Sequence, residues 1–106
     1  MIYKDFQGKK LSALGMGAMR LPVIDGDDTK VDNDKVKEMV ACAMEKGINY
    51  YDTAWGYHGG NSELAMGEAL SAYPRESFYL ADKFPGYDLS NMDKVEEIFE
   101  SQLKKC

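Results

Sequence analysis

A chain of 106 residues suffices for one small domain, and 44% hydrophobic with 29% charged residues is the balance of a globular protein. A net charge of −5 without any basic cluster argues against a nucleic-acid binder, although backbone amides and single cations can still hold an anionic cofactor. No apolar run approaches the roughly 18 residues of a membrane span, the first residues lack the apolar core of a secretory signal, and Cys42 and Cys106 without a Cys/His cluster indicate neither a disulfide frame nor a metal site, so a reducing, cytoplasmic setting is expected.

In chain order, residues 2–6 and 10–14 flank Gln7-Gly8-Lys9 and predict a hairpin with a glycine turn. The stretch Leu14 to Pro22 is apolar, interrupted by Gly15 and Gly17 and closed by proline, as in a short strand running into a loop. Asp25 to Asp28 reads as a polar turn. Val36, Met39, Val40, Ala43 and Met44 recur at helical spacing, with Asp32 or Asn33 as the N-cap and Gly47 as the left-handed stop. Ile48 to Asp52 is a short strand. A second helix starts at Asn61-Ser62-Glu63, with Leu64, Ala65, Ala69 and Leu70 on its inner side. Phe78 to Ala81 is the next strand, and Lys83 follows it. Ser90 and Asp93 suggest a capping box before a third helix that carries Val95, Ile98, Phe99 and Leu103.

After the hairpin the order is strand, helix, strand, helix, strand, helix. Such repetition predicts parallel strands with right-handed crossovers, as in α/β barrels and doubly wound sheets. In both folds, sites form at the carboxyl ends of the strands. Gly17, Asp52 and Lys83 fall at three such ends. Three parallel strands alone leave two open edges, so the expectation is the front part of a larger domain, with exposed apolar surface or self-association.

Asp52, Tyr57 and Lys83 together suggest proton delivery. A phenol with the usual pKa of about 10 is a weak acid near neutrality, and a nearby ammonium favours its ionised form. A tyrosine so placed can protonate a carbonyl oxygen as the carbonyl becomes an alcohol. Asp52 would keep Lys83 charged and oriented. The hydride must come from a cofactor, because no side chain supplies one. Taken singly, each residue has an ordinary reading as a turn, loop or surface residue. Their recurrence at consecutive strand ends is what favours function.

Gly47-Ile48-Asn49-Tyr50-Tyr51-Asp52-Thr53-Ala54, with Tyr57, Ser62-Glu63 and Gly67-Glu68-Ala69-Leu70, closely resembles the aldo-keto reductase family. Arg75-Glu76 before a strand ending in Lys83 fits the same pattern, as does Leu14-Gly15-Met16-Gly17 after a hairpin. The resemblance implies a (β/α)8 barrel, of which residues 1–106 are the N-terminal part: a hairpin and about three βα units. It implies NADP(H) or NAD(H) as cofactor, small aldehydes and ketones as substrates, Tyr57 as general acid, and Asp52 and Lys83 as its supports. Gly17, Ala18 and Met19, with Asp52, are placed by the cofactor's nicotinamide end, and Trp55 and Gly56 beside the substrate. The family's catalytic histidine belongs to the following strand, and the chain ends before it. His58, the only histidine, is expected to be an exposed loop residue. The 106 residues alone are expected to have little activity. Two other readings stand beside this one: a nucleotide-binding regulatory protein without catalysis, and a reductase joined to an iron-sulfur module.

Overall fold

Gln7 and Gly8 both adopt positive φ (48° and 79°), the backbone of a tight hairpin turn, in the computed structural model, which describes all 106 residues. They join β1 (Tyr3–Phe6) to β2 (Lys9–Ser12) with Tyr3 opposite Ser12 and Phe6 opposite Lys9. The hairpin docks through Asn49. Its side-chain oxygen accepts the Ser12 N–H (2.7 Å), its amide donates to the Lys10 carbonyl (2.9 Å), and its own N–H donates to Ser12 Oγ (3.1 Å). Tyr3 donates to the carbonyl of Gly47 (2.9 Å). The hairpin thereby covers the end of the sheet where its strands begin.

The sheet has three parallel strands in the order β3 (Met16–Gly17), β6 (Tyr50–Asp52) and β7 (Tyr79–Ala81). Register places Gly17 beside Asp52, and Asp52 beside Ala81. The parallel strands and their crossover helices follow the predicted order, with one insertion. The polar turn expected at Asp25 to Asp28 is the tip of a second hairpin, β4 (Val23–Ile24) and β5 (Asp27–Val31). Only Asp25 and Gly26 form the turn, at φ 54° and 70°; Asp27 and Asp28 belong to the strand. Short strands of two and five residues carry too little alternation to be read from sequence.

Helix α1 (Asn33–Glu45) is capped by Asp32, whose carboxylate accepts the Lys35 N–H, and it is followed by Gly47 at φ 90°. Val36, Val40 and Ala43 bury on one stripe. Helix α2 (Asn61–Leu70) turns inward Ser62, Glu63, Ala65, Met66, Ala69 and Leu70. Leu64, expected inside, is exposed instead, because two polar residues with partners of their own take the inner stripe. These helices and the strands enclose one core that includes Val36, Val40, Tyr51, Met66, Leu70 and Phe78. Tyr51 is fully buried, meets Phe78 edge-on and hydrogen-bonds to the Ile48 carbonyl.

Helix α3 (Val95–Lys105) follows a 3-10 turn over Leu89–Lys94. The expected capping box at Ser90 and Asp93 does not form. Asp88 is the cap, accepting from both the N–H and the hydroxyl of Ser90 (3.0 and 2.7 Å). An Asp two residues ahead makes a tighter loop than a reciprocal box. Of the apolar positions, Ile98 is buried; Val95, Phe99 and Leu103 are exposed. Phe99 and Leu103 border an open groove of about 350 Å³ with Leu80 and Phe84. The exposed apolar surface anticipated for open sheet edges is therefore present. No helix is long and apolar enough to cross a membrane.

Candidate active site

The parallel register brings Gly17, Asp52 and Ala81 into one row at the carboxyl ends of the strands. The ladder runs one step further. Ala18 N–H donates to the Asp52 carbonyl (2.9 Å), Thr53 N–H to that of Ala81 (2.8 Å), and Trp55 N–H to that of Lys83 (3.2 Å). Lys83 is two residues past β7, so its side chain leans back over β6.

There its ammonium meets three acceptors: Asp52 Oδ1 at 2.6 Å, the Thr53 carbonyl at 2.9 Å and Tyr57 Oη at 3.2 Å. Three donors and three acceptors leave no ammonium proton over. Partial burial of Lys83 works to lower its pKa, but the hydrogen bonds and charges of Asp52 and Tyr57 outweigh this, so it is raised and the group stays cationic. Because Lys83 donates to the phenol oxygen, the Tyr57 proton is free to point at another acceptor. Asp52, Tyr57 and Lys83, grouped in the sequence by their places at consecutive strand ends, thus form one contiguous group. It is half open to solvent.

The other predicted positions divide. Gly17 and Met19 are exposed on the rim beside Asp52, and a Cβ on Gly17 would touch nothing within 4 Å. A flat ring can therefore approach this backbone. Ala18, expected beside the cofactor, is wholly buried instead, its N–H bonded to the Asp52 carbonyl and its carbonyl to Ser62 Oγ. Trp55 packs against Lys105, whose ammonium lies 4.1 Å from the ring centre. Gly56 faces Tyr87, whose hydroxyl would sit 2.9 Å from an added Cβ.

His58 corrects an expectation. It is 3% exposed, not a surface loop residue. Its Nε2 accepts the Leu21 N–H (2.9 Å), and its Nδ1 lies 2.8 Å from the Asp28 carbonyl. Sequence reasoning cannot find this, because Asp28 lies in the unforeseen second hairpin and Leu21 in the loop that leads into it.

Four further residues support the site. Thr53 and Ser62, both buried, share a hydrogen bond (2.8 Å), and Ser62 Oγ reaches the Ala18 carbonyl (3.1 Å). This ties the ends of β3 and β6 to the start of α2. Below them, the buried Glu63 accepts from Gln102 (3.0 Å) and Lys105 (3.2 Å). The same Gln102 amide donates to the Lys83 carbonyl (2.9 Å). The signal for these was polar residues in otherwise apolar helix stripes, at Ser62, Glu63 and Gln102.

Burial and then the neighbouring Asp82 push Glu63 up to about 7, against the opposing pull of Gln102 and Lys105. The folded state then binds this proton more tightly than the unfolded chain. The contribution to stability is full below the ordinary carboxylate range and is lost as pH rises through about 7. Urea unfolding at pH 5 and pH 8 is expected to show Glu63→Gln removing a loss on the order of 1–3 kcal/mol. An unchanged pH dependence in the variant would contradict this. Asp82 and Cys106 join Glu63 with ligand atoms within 4.8 Å of one another. Lys105 and Gln102 already occupy both Glu63 oxygens, and burial, followed by Asp82, pushes the Cys106 thiol up to about 12. A protonated thiol beside an ammonium is a poor cation site.

Residues 13–106 match the Aldo/keto reductase family. An NADH-specific methylglyoxal reductase of Escherichia coli (strain K12) is 39% identical over 77 residues, covering 69% of this chain and 22% of that protein. An L-galactose dehydrogenase of Arabidopsis thaliana is 33% identical over 104 residues, covering 92% and 31%. A thermostable aldo-keto reductase crystallised with the inhibitor epalrestat superposes with a TM-score of 0.74 at 26% identity, over 99% of this chain and 38% of that one. The holo form of an aldo-keto reductase from Bacillus halodurans gives 0.60 at 34%, over 73% and 23%. This chain spans between a fifth and a third of the length of these curated relatives. Its hairpin and three βα units are part of a (β/α)8 barrel, and with the sequence match, the superposition and the Asp-Tyr-Lys group together, the chain belongs to the aldo-keto reductase family.

Proposed function

We propose that these residues carry the proton-delivery half of a nicotinamide-dependent carbonyl reductase. The observation that carries the reading is the hydrogen bond from Lys83 to Tyr57 Oη, with Asp52 on the other side of the same ammonium. Lys83 donates to the phenol oxygen and so turns the Tyr57 proton outward. As negative charge develops on a carbonyl oxygen, Tyr57 transfers that proton, and the ammonium 3.2 Å away stabilises the charge left on the phenol. Asp52 fixes the ammonium and balances its charge.

NADH or NADPH would supply the hydride. The bare rim at Gly17, beside Asp52, suits a flat ring, and the E. coli relative's NADH specificity supports this cofactor class. Trp55 and Gly56 would border the substrate, a small aldehyde or ketone. An aromatic ring there suits an apolar carbonyl compound.

The reading belongs to a barrel-length protein that contains residues 1–106. The chain by itself is expected to reduce carbonyls feebly, since it covers 38% of the superposed reductase and its one histidine is held by Leu21 and Asp28. Its exposed Phe99 and Leu103 are expected to be covered by further barrel or by a second copy.

The test is reduction of a reactive aldehyde by the barrel-length protein, followed by nicotinamide absorbance. Lys83→Met should lower kcat by about 10²-fold or more, with cofactor affinity nearly kept, since the substitution removes a charge that matters most when the phenol ionises. Retention of full kcat in Lys83→Met would overturn the proposal. A regulatory, non-catalytic protein would show no turnover in either form.

A further inference from the structure

His58 directly follows Tyr57, and its buried ring is the anchor next to it in the chain on that side of the loop. The segment Tyr57–Gly60 is a 3-10 turn in which His58, Gly59 and Gly60 all have positive φ, at 54°, 63° and 95°. Glycine accepts this backbone freely, whereas histidine adopts it at some energetic cost. The cost is offset by two hydrogen bonds that cross the fold. Nε2 accepts from Leu21 N–H, so the proton of the neutral ring sits on Nδ1, which donates to the Asp28 carbonyl. The carboxylate of Asp28, 3.2 Å from the same Nδ1, reinforces that tautomer. The ring thus bridges the end of the first strand's loop and the β4–β5 hairpin.

The Tyr57 side chain, in contrast, has one hydrogen bond, to Lys83. Where its hydroxyl sits depends on the main chain at residue 57. On the strand side the loop is held by Trp55 N–H on the Lys83 carbonyl and by Thr53 on Ser62. On the helix side it is held by His58 and, after the turn, by Asn61, whose amide donates to the Thr29 carbonyl of the second hairpin (2.6 Å). We propose that His58 is a positioning residue for Tyr57, its imidazole pinning the loop to the second hairpin so that the phenol stays over Lys83. The second hairpin thereby gains a role in the site, although it contributes no group to the proton-delivery cluster. This inference rests on the reading of Tyr57 as proton donor.

The experiment is a double-mutant cycle in the barrel-length protein, with a reactive aldehyde and saturating cofactor. His58→Ala is expected to lower kcat by about 10- to 100-fold, the scale on which a misplacement of about 1 Å acts. The cofactor dissociation constant should stay within about twofold, because the register of Gly17 with Asp52 and the Ala18 N–H bond to the Asp52 carbonyl do not involve His58. In a Tyr57→Phe background the same change should have almost no further effect, because the group it positions is gone. Added imidazole should restore part of the His58→Ala rate by refilling the ring's site. Full kcat in a folded His58→Ala variant, or an equal loss in both backgrounds, overturns the proposal while leaving the Tyr57 reading intact. Full kcat in Tyr57→Phe overturns both.

A measurement without substitution guards against a variant that does not fold. In the 106-residue chain His58 is the single histidine, so its ring nitrogens there give one unambiguous 15N NMR pattern. The Nδ1–H tautomer with a slowly exchanging ring proton is expected; a mobile, freely exchanging ring would overturn the anchoring on which the proposal stands.

Discussion

Replacement of Tyr57 by Phe is expected to lower kcat for aldehyde reduction by roughly 10²–10⁴-fold, the usual worth of a positioned general acid. The substitution removes one oxygen and leaves the ring, so packing against the Lys83 stem, with the ammonium 4.9 Å from the ring centre, is retained. Lys83 keeps Asp52 and the Thr53 carbonyl as acceptors and remains charged. Folding and cofactor binding should therefore change little, and the loss should fall on kcat, with KM nearly constant. Steady-state kinetics together with a cofactor titration check this. A comparable loss in cofactor affinity would mean that Tyr57 shapes the binding site and does not deliver the proton.

The largest expected effect on stability is at Gly67, and it comes from a backbone contact. A Cβ at this position of α2 would overlap the Lys105 carbonyl and crowd Cys106 Cα at 3.1 Å. The obstacle is main chain, so no rotamer change relieves it. Gly67→Ala must push the last turn of α3 away, at a cost of about 1–3 kcal/mol for overpacking alone. Displacement also withdraws Lys105 and Gln102 from the buried Glu63. An uncompensated buried carboxylate adds a further penalty of roughly 3–5 kcal/mol unless it takes up a proton. The variant should thus be strongly destabilised at pH 8 and less so at pH 5. Because Gln102 also holds the Lys83 carbonyl, kcat should fall with it. Thermal melts at the two pH values are the check, and a variant as stable as the parent at pH 8 would show that α3 does not need this close approach.

Much of the sheet was readable because its signals are local. Gly47 at positive φ stops α1 as expected, and the strand expected over Ile48 to Asp52 forms over Tyr50–Asp52, with Tyr51 alone buried, because Asn49 is taken up in docking the hairpin. The helices were found by periodicity, yet their faces were read less well. Leu64 lies outside while Ser62 and Glu63 lie inside, since hydropathy assigns polar residues to the surface and cannot foresee partners 44 and 39 residues away. The second hairpin was missed because its strands are short and its residues polar. The environment of His58 is hidden with it, because one of its two partners, Asp28, belongs to that hairpin and the other, Leu21, to the loop that leads into it.

The family, the parallel βα order and the three side chains of the proposed proton-delivery group are legible in the amino-acid order alone. These follow from short-range patterning and from residue types recurring at strand ends. That one ammonium touches both Asp52 and Tyr57, that Gln102 links the Lys83 carbonyl to Glu63, and that His58 is held inside the fold are visible in the folded chain alone. Those facts depend on parallel register and on helix docking, which join residues 20 to 40 positions apart and leave no periodic trace along the chain.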